Sequence, residues 1–359
     1  MAYQRIENVK IAGISASVPD YSEENSALNL FKENGEYEKF VASTGVERRR
    51  RAMLGLCASD LCLAAAEELV KTLEWKKDDI ECLIFASHSP DYLFPATSCI
   101  IQDRLGLSTD CMSFDISLGC SGWVYGISVL ASLVSAGKFK KALLLAGDTT
   151  TRSKSPKDKG TYPLFGDSGS ATALEYDKGA ADILSHMGTD GKNYNAIIKP
   201  DGGSRNPVSF NSLSEVEHED GNISNRLHTH MDGMTVFSFG ITKVPKSIQN
   251  FLTQFELDKK EIDYLVLHQA NKMINERIQK KLGFPDEKVP TVFRDFGNTS
   301  SGSIPLAMAV NLKDQINNTV SKKLNILACG FGVGLSWGSL FFELSDAVCT
   351  DLIEVKNVS

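Results

Sequence analysis

No apolar run in this chain of 359 residues is long enough to cross a membrane. The longest, Gly122 to Val134, falls well short of the ~20 residues a span requires. The first ten residues contain Arg5, Glu7 and Lys10 and lack the apolar core of a signal peptide. A cytoplasmic location is therefore expected, with no membrane partner. No CxxC pair occurs among the eight cysteines. Free thiols are expected, and neither a zinc ribbon nor a disulfide framework is indicated. Positive charge is in deficit, 38 Lys and Arg against 45 Asp and Glu, so no nucleic-acid partner is expected. The chain is too long for one ordinary core, which implies two domains or one duplicated fold.

What the chain does contain is organised around Ser113 to Ser128. A short apolar strand leads into a Gly119-Cys120-Ser121-Gly122 turn and then an apolar helix. A helix N-terminus carries partial positive charge and unpaired N–H groups, which favour a thiolate at Cys120. Taken alone, the stretch fits a buried, unreactive cysteine equally well.

Strand patterns at Val9–Ile14, Ile80–Ser87, Cys111–Ile116 and Lys141–Gly147 alternate with helical patterns at Ser59–Thr72 and Thr97–Leu105. This argues for an α/β fold with mostly parallel sheets. Residues 15–58 read as polar and irregular. They include the run Arg48 to Arg51, either a solvated loop or the phosphate-binding edge of a pocket. The second half repeats the order of the first. An offset of 180 residues relates His88 to His268 and Cys120 to Ser300. One repeat of that size means a duplicated domain, with a boundary near residues 177–181. Residues 201–230 have no counterpart and read as a surface insertion. Its His218, His228 and His230 read as exposed loop histidines, and no metal site is expected.

Cys120, His268 and Asn298 come from equivalent places in the two halves. Packed about a pseudo-twofold axis, they converge at the carboxyl ends of the strands, where open α/β sheets bind ligands. A thiolate, an imidazole and an amide donor suit acyl transfer with an oxyanion or enolate to stabilise.

Five stretches in order, Gly119–Gly122, Phe165-Gly-Asp167, His268-Gln-Ala-Asn271, Gly297-Asn298-Thr-Ser and Gly330–Gly338, resemble the thiolase superfamily. The nearest resemblance is to the β-ketoacyl-acyl carrier protein synthase III family. It implies a thiolase-like duplicated αβαβα layered fold with two pseudo-twofold related halves, residues 1–178 and 179–359.

By the same resemblance, Cys120 takes the acyl group while His268 and Asn298 stabilise the enolate left when a malonyl thioester loses carbon dioxide. The backbone N–H groups of Cys120, Val333 and Gly334 hold the oxyanion. Phe94 and Phe237 line the acyl pocket, Phe94 by reaching into a partner subunit, which implies a homodimer. Phe94 also reads as an ordinary buried aromatic. Lys272, Arg277, Lys280 and Lys281 dock an acidic acyl carrier protein or are a solvated helix face. Lys39 and Lys159 stand where the family commonly brackets the coenzyme A adenine with Trp and Arg. Arg48, Arg49 and Lys159 remain candidates for its phosphates. The implied activity forms a β-ketoacyl thioester without a cofactor, from an acyl-coenzyme A or carrier-protein thioester and malonyl-acyl carrier protein. The alternatives are acyl transfer to oxygen or nitrogen without decarboxylation, and a non-catalytic partner subunit.

Overall fold

The computed structural model describes residues 2–320 and 322–356. The first half runs β1 (Ala2–Ile6), β2 (Val9–Pro19), β3 (Ser22–Glu24), α1 (Glu36–Thr44), β4 (Arg48–Arg50), α2 (Ala58–Thr72), β5 (Ile80–Ala86), α3 (Thr97–Arg104), β6 (Met112–Ile116), α4 (Gly122–Gly137), β7 (Lys141–Ala146) and β8 (Gly169–Tyr176). The second runs β9 (Ile183–Thr189), β10 (Ile197–Ile198), β11 (Val216–Glu217), β12 (Ile223–Ser224), β13 (His230–Met231), α5 (Gly233–Gln254), β14 (Tyr264–Leu267), α6 (Lys272–Leu282), α7 (Phe293–Phe296), α8 (Ser303–Asn311), β15 (Leu324–Gly332), β16 (Ser336–Leu344), β17 (Val348–Cys349) and β18 (Ile353–Val355).

Two sheets stack with helices between and outside them. One has the order β17-β2-β8-β7-β5-β6, and the other β1-β9-β16-β15-β14. Helices α4 and α8 fill the middle layer against both sheets, α2 and α3 cover the outer face of the first sheet, and α5 and α6 cover that of the second. The sequence of α4 explains its place. It is apolar all round, so it is stable only with both flanks covered. Trp123 is fully buried there and donates to Thr172 Oγ1 at 2.9 Å. Truncating such an indole to alanine costs roughly 3–5 kcal/mol. A Cβ on Gly126 would lie 2.5 Å from a Leu144 methyl, so this position lets α4 press onto β7. Helix α6 is amphipathic instead. Ile274, Ile278 and Leu282 face inward at four-residue spacing, and Asn271 Oδ1 caps the helix by accepting from Ile274 N–H at 2.9 Å.

Three expectations change. The second sheet is mixed: only β14–β15 is a parallel pair, because β15 and β16 form a tight hairpin and β9 and β1 add antiparallel to it, whereas the first is mostly parallel, with β8 alone running antiparallel to its neighbours. Residues 15–58 are not irregular. β2 continues to Pro19 on small residues that fit a strand buried on both faces, and α1, β3 and β4 follow. The division at 178/179 falls in the turn between β8 and β9, but the sheets cross it. β1 pairs with β9 of the second half, while β17 and β18 pair with β2 of the first.

The 201–230 insertion folds back onto residues 153–159. Ile223 N–H donates to Lys157 O at 3.3 Å, Thr229 N–H to Ser153 O at 2.7 Å, and Lys159 N–H to Asn222 Oδ1 at 2.9 Å.

Candidate active site

Cys120 lies between β6 and α4, His268 directly follows β14, and Asn298 lies between α7 and α8. All three line one cavity of about 630 Å³, a size suited to a small organic ligand. Cys120 Sγ is 3.9 Å from Ser300 Oγ. These two residues are the repeat-related pair, so the pseudo-twofold axis runs between the elbows and the site is assembled across it.

Local bonds aim each group. Asn298 donates its backbone N–H to Leu164 O at 2.9 Å and accepts from Gly166 N–H at 3.0 Å. Its Oδ1 accepts from Ser300 N–H at 3.0 Å, which leaves the Nδ2 hydrogens for a ligand. His268 is fully enclosed, and burial pushes its pKa down to about 3, opposed by a contact with the Ser300 backbone. The imidazole is therefore neutral. Its Nδ1 is 2.7 Å from Ser303 Oγ, and that hydroxyl accepts from Gln269 N–H at 3.5 Å. With the serine proton given to Nδ1, the ring hydrogen stands on Nε2.

The thiolate expectation is corrected. Burial pushes the Cys120 thiol up to about 11 and Asp148 adds to it, against the Ser300 hydroxyl, the Val333 N–H and Lys154. At rest the group is a thiol. Its proximity to the end of β15 depends on Gly332, where a Cβ would lie 2.6 Å from Cys120 Cβ. Val333 lines the cavity and directs its N–H at the sulfur. Gly334 does not face the cavity; it sits in the turn against Ser336, because the chain has already reversed toward β16.

Phe237 lines the cavity. Phe94 does not. It is 84% exposed, beside the equally bare Leu93, so it is not the ordinary buried aromatic. Arg49 is corrected as a phosphate ligand. It is fully buried, paired with Glu23, donates to Phe165 O at 3.2 Å and stacks 4.1 Å from the Tyr162 ring centroid. Arg48 pairs with Glu24 and Asp295, and Lys159 with Glu36 at 2.9 Å. The arginine run is a strand pinned by carboxylates, not an open anion site. Lys272, Arg277, Lys280 and Lys281 are exposed along α6. The insertion's histidines are spent locally: His218 Nε2 lies 2.7 Å from Ser224 Oγ, His228 Nδ1 accepts from Asn225 N–H at 3.1 Å, and His230 Nε2 lies 3.1 Å from Asn225 O.

Three residues escape the sequence reading. Asp148, fully buried after β7, accepts from Ser87 Oγ at 3.0 Å and His88 N–H at 2.7 Å in the first half, and from Ser301 Oγ at 2.7 Å in the second. It ties the two halves together beside the thiol. His88 also lines the cavity, from the strand end equivalent to that of His268. Lys154 lines it too and is 5% exposed. In the sequence it sits within Arg152-Ser-Lys-Ser-Pro-Lys-Asp-Lys159, which has the look of a solvated loop.

Residues 114–191 match 3-oxoacyl-[acyl-carrier-protein (ACP)] synthase III, and residues 252–344 match the C-terminal part of that family. A β-ketoacyl-[acyl-carrier-protein] synthase III of Chlamydia caviae is 32% identical over 342 residues, covering 95% of this chain and 98% of the relative. The chain belongs to the synthase III family. The same likeness extends to a synthase III of Clostridioides difficile, 32% identical over 330 residues and covering 92% of this chain and 96% of that one. A 3-oxoacyl-(acyl-carrier protein) synthase structure from Burkholderia xenovorans is similar at 35% identity, with a TM-score of 0.91 and 99% of both chains covered. The synthase III fold is thus the duplicated, five-layered one described above, and the chain is an enzyme of an acyltransferase family. No helix among its described residues is long and apolar enough to cross a membrane.

Proposed function

We propose that this synthase III forms a β-ketoacyl thioester by decarboxylative condensation of an acyl thioester with malonyl-acyl carrier protein. The observation that carries the reading is the convergence of a thiol, a neutral imidazole and a free amide donor on one largely apolar cavity. In the first step Cys120 sulfur attacks the thioester carbonyl. Its proton leaves with the carrier thiol, and the carbonyl oxygen sits against the Cys120 and Val333 N–H groups. In the second, the malonyl C–C bond breaks and carbon dioxide departs. His268 Nε2–H and Asn298 Nδ2–H hold the enolate oxygen. The enolate carbon then attacks the acyl carbonyl, the C–S bond breaks, and the Cys120 sulfur takes up a proton. A neutral His268 serves this better than a charged one, because it can donate without giving up its proton to the carbanion. No step needs a cofactor.

The exposed basic residues of α6, Lys272, Arg277, Lys280 and Lys281, offer a docking face for an acidic carrier protein next to the cavity wall formed by Asn271, Met273 and Ile274. The bare Leu93 and Phe94 side chains support a homodimer in which the loop is covered by a second copy. Eight unpaired cysteines suit the reducing cytoplasm. The test supplies an acyl-coenzyme A primer with malonyl-carrier protein and follows carbon dioxide release. Release that depends on Cys120 supports the proposal. Acylation of Cys120 without release points to transfer onto another nucleophile, and no acylation at all to a non-catalytic role. Reversing charge with Lys272→Glu and Arg277→Glu is expected to raise KM for the carrier-bound substrate severalfold and leave kcat unchanged.

A further inference from the structure

Lys154 has no place in the steps above, yet its ammonium is sealed into the cavity wall. Its Nζ donates to Ser153 Oγ at 3.1 Å and lies 4.2 Å from the centroid of the Phe165 ring. It makes no ion pair among the described residues. A buried cation held by one hydroxyl and one ring face has two N–H bonds unspent, and the cavity it lines also carries Phe165, Met231 and Phe237 beside the hydroxyls of Thr150 and Thr229. Its position is built, not incidental. Ser153 also receives Thr229 Oγ1–H at 3.0 Å and Thr229 N–H at 2.7 Å, and Ser155 Oγ donates to Ile223 O at 2.5 Å. The 201–230 insertion thus clamps the segment that carries the lysine.

We propose that Lys154 determines substrate specificity by binding a second acceptor oxygen, a ketone or a carboxylate, on the acyl group carried by Cys120. This deepens the condensing-enzyme reading and rests on it. The malonyl carboxylate is a poor candidate for the partner. An ion pair there stabilises the ground state and opposes the loss of carbon dioxide. The enolate oxygen already has His268 and Asn298. The acyl group is what remains, and a plain alkyl chain leaves the ammonium unsatisfied. Burial lowers the Lys154 pKa to about 8, and the neighbouring carboxylates Asp148 and Asp167 act against that fall, as Cys120 does when it is ionised. The lysine also favours the Cys120 thiolate, which places its charge near the attached end of the acyl chain.

The experiment compares hexanoyl-, 3-oxohexanoyl- and adipoyl-coenzyme A, three primers of equal length, by the rate at which intact mass shows their adduct on Cys120. The wild-type protein is expected to react with at least one oxygenated primer about tenfold or more faster than with hexanoyl, the size of one hydrogen bond to a charged donor. A faster 3-oxo arm identifies a ketone, and a faster adipoyl arm a carboxylate. Lys154→Met is expected to bring the ratio to about one, and Lys154→Arg to retain part of it. Because a ratio is read within one preparation, partial misfolding does not mimic the result. A wild-type ratio of one or below, or a ratio unchanged in Lys154→Met, overturns the proposal. No adduct from any primer removes the acyl-enzyme reading itself, and this proposal with it.

Discussion

The two repeat-related elbows lie side by side, Cys120 Sγ 3.9 Å from Ser300 Oγ, yet only the first carries a thiol, and they are entered differently, the first from β6 and the second from the short helix α7. The second uses its side chains as supports. Asn298 turns its amide outward, Ser300 touches the sulfur, and Ser301 is anchored to Asp148 across the axis. The strand ends diverge in the same way. Both histidines line the cavity, but His268 is buried and held neutral, whereas its repeat partner His88 is exposed. Duplication supplied two sets of the same positions around an axis. Burial then set the two histidines apart.

The sharpest way to break this comparison is to make the elbows alike. Cys120→Ser is expected to slow acylation by at least about a thousandfold, since an alkoxide is far harder to form than a thiolate. Retention of the rate in a single-turnover assay would remove the distinction between the elbows. Next in size are the two histidines. His268→Ala is expected to lower carbon dioxide release by about a hundredfold or more while Cys120 still takes up an acyl group. His88→Ala should change release by no more than a few fold. Equal losses in the two variants would mean that burial does not sort the roles.

The third prediction concerns pH. The folded-state pKa of His268 is depressed from 6.5 to about 3. Below pH 6.5 the unfolded chain gains a proton that the folded chain refuses, so this residue's contribution to stability is present above 6.5 and is lost as pH falls toward 3. His268→Asn is expected to flatten the pH dependence of the urea midpoint in that window, relative to wild type. The smallest effect belongs to Ser300→Ala, which removes only the hydroxyl at the sulfur. Acylation should change about fivefold or less, the scale of one neutral hydrogen bond, with carbon dioxide release following in proportion.

How much of this was legible in the sequence follows from the range of the interactions. Cys120, His268 and Asn298 announce themselves through local turns rich in glycine and small residues, and the structure brings all three to one cavity. Arg49 could not be read, because its partners Glu23, Phe165 and Tyr162 are set by tertiary packing. Lys154 was hidden for a related reason. Its neighbours in sequence are polar, and its position is fixed by the Phe165 ring and by an insertion more than sixty residues away that bonds Ser153 and Ser155. Strand direction was legible in the first sheet and not in the second, where alternating strands and helices do not reveal the β15–β16 hairpin or the addition of β1.

Those chain ends bear on how the protein is made. Ala2 sits opposite Met187, and Gly13 opposite Val348. A ribosome releasing this chain exposes β1 long before its partner β9 exists, and leaves one edge of β2 bare until β17 and β18, more than three hundred residues further on, emerge. Unpaired edges of that kind invite association with other chains. Each half completes a sheet of the other, and Val348–Val355 act as the latch on a sheet begun at β2.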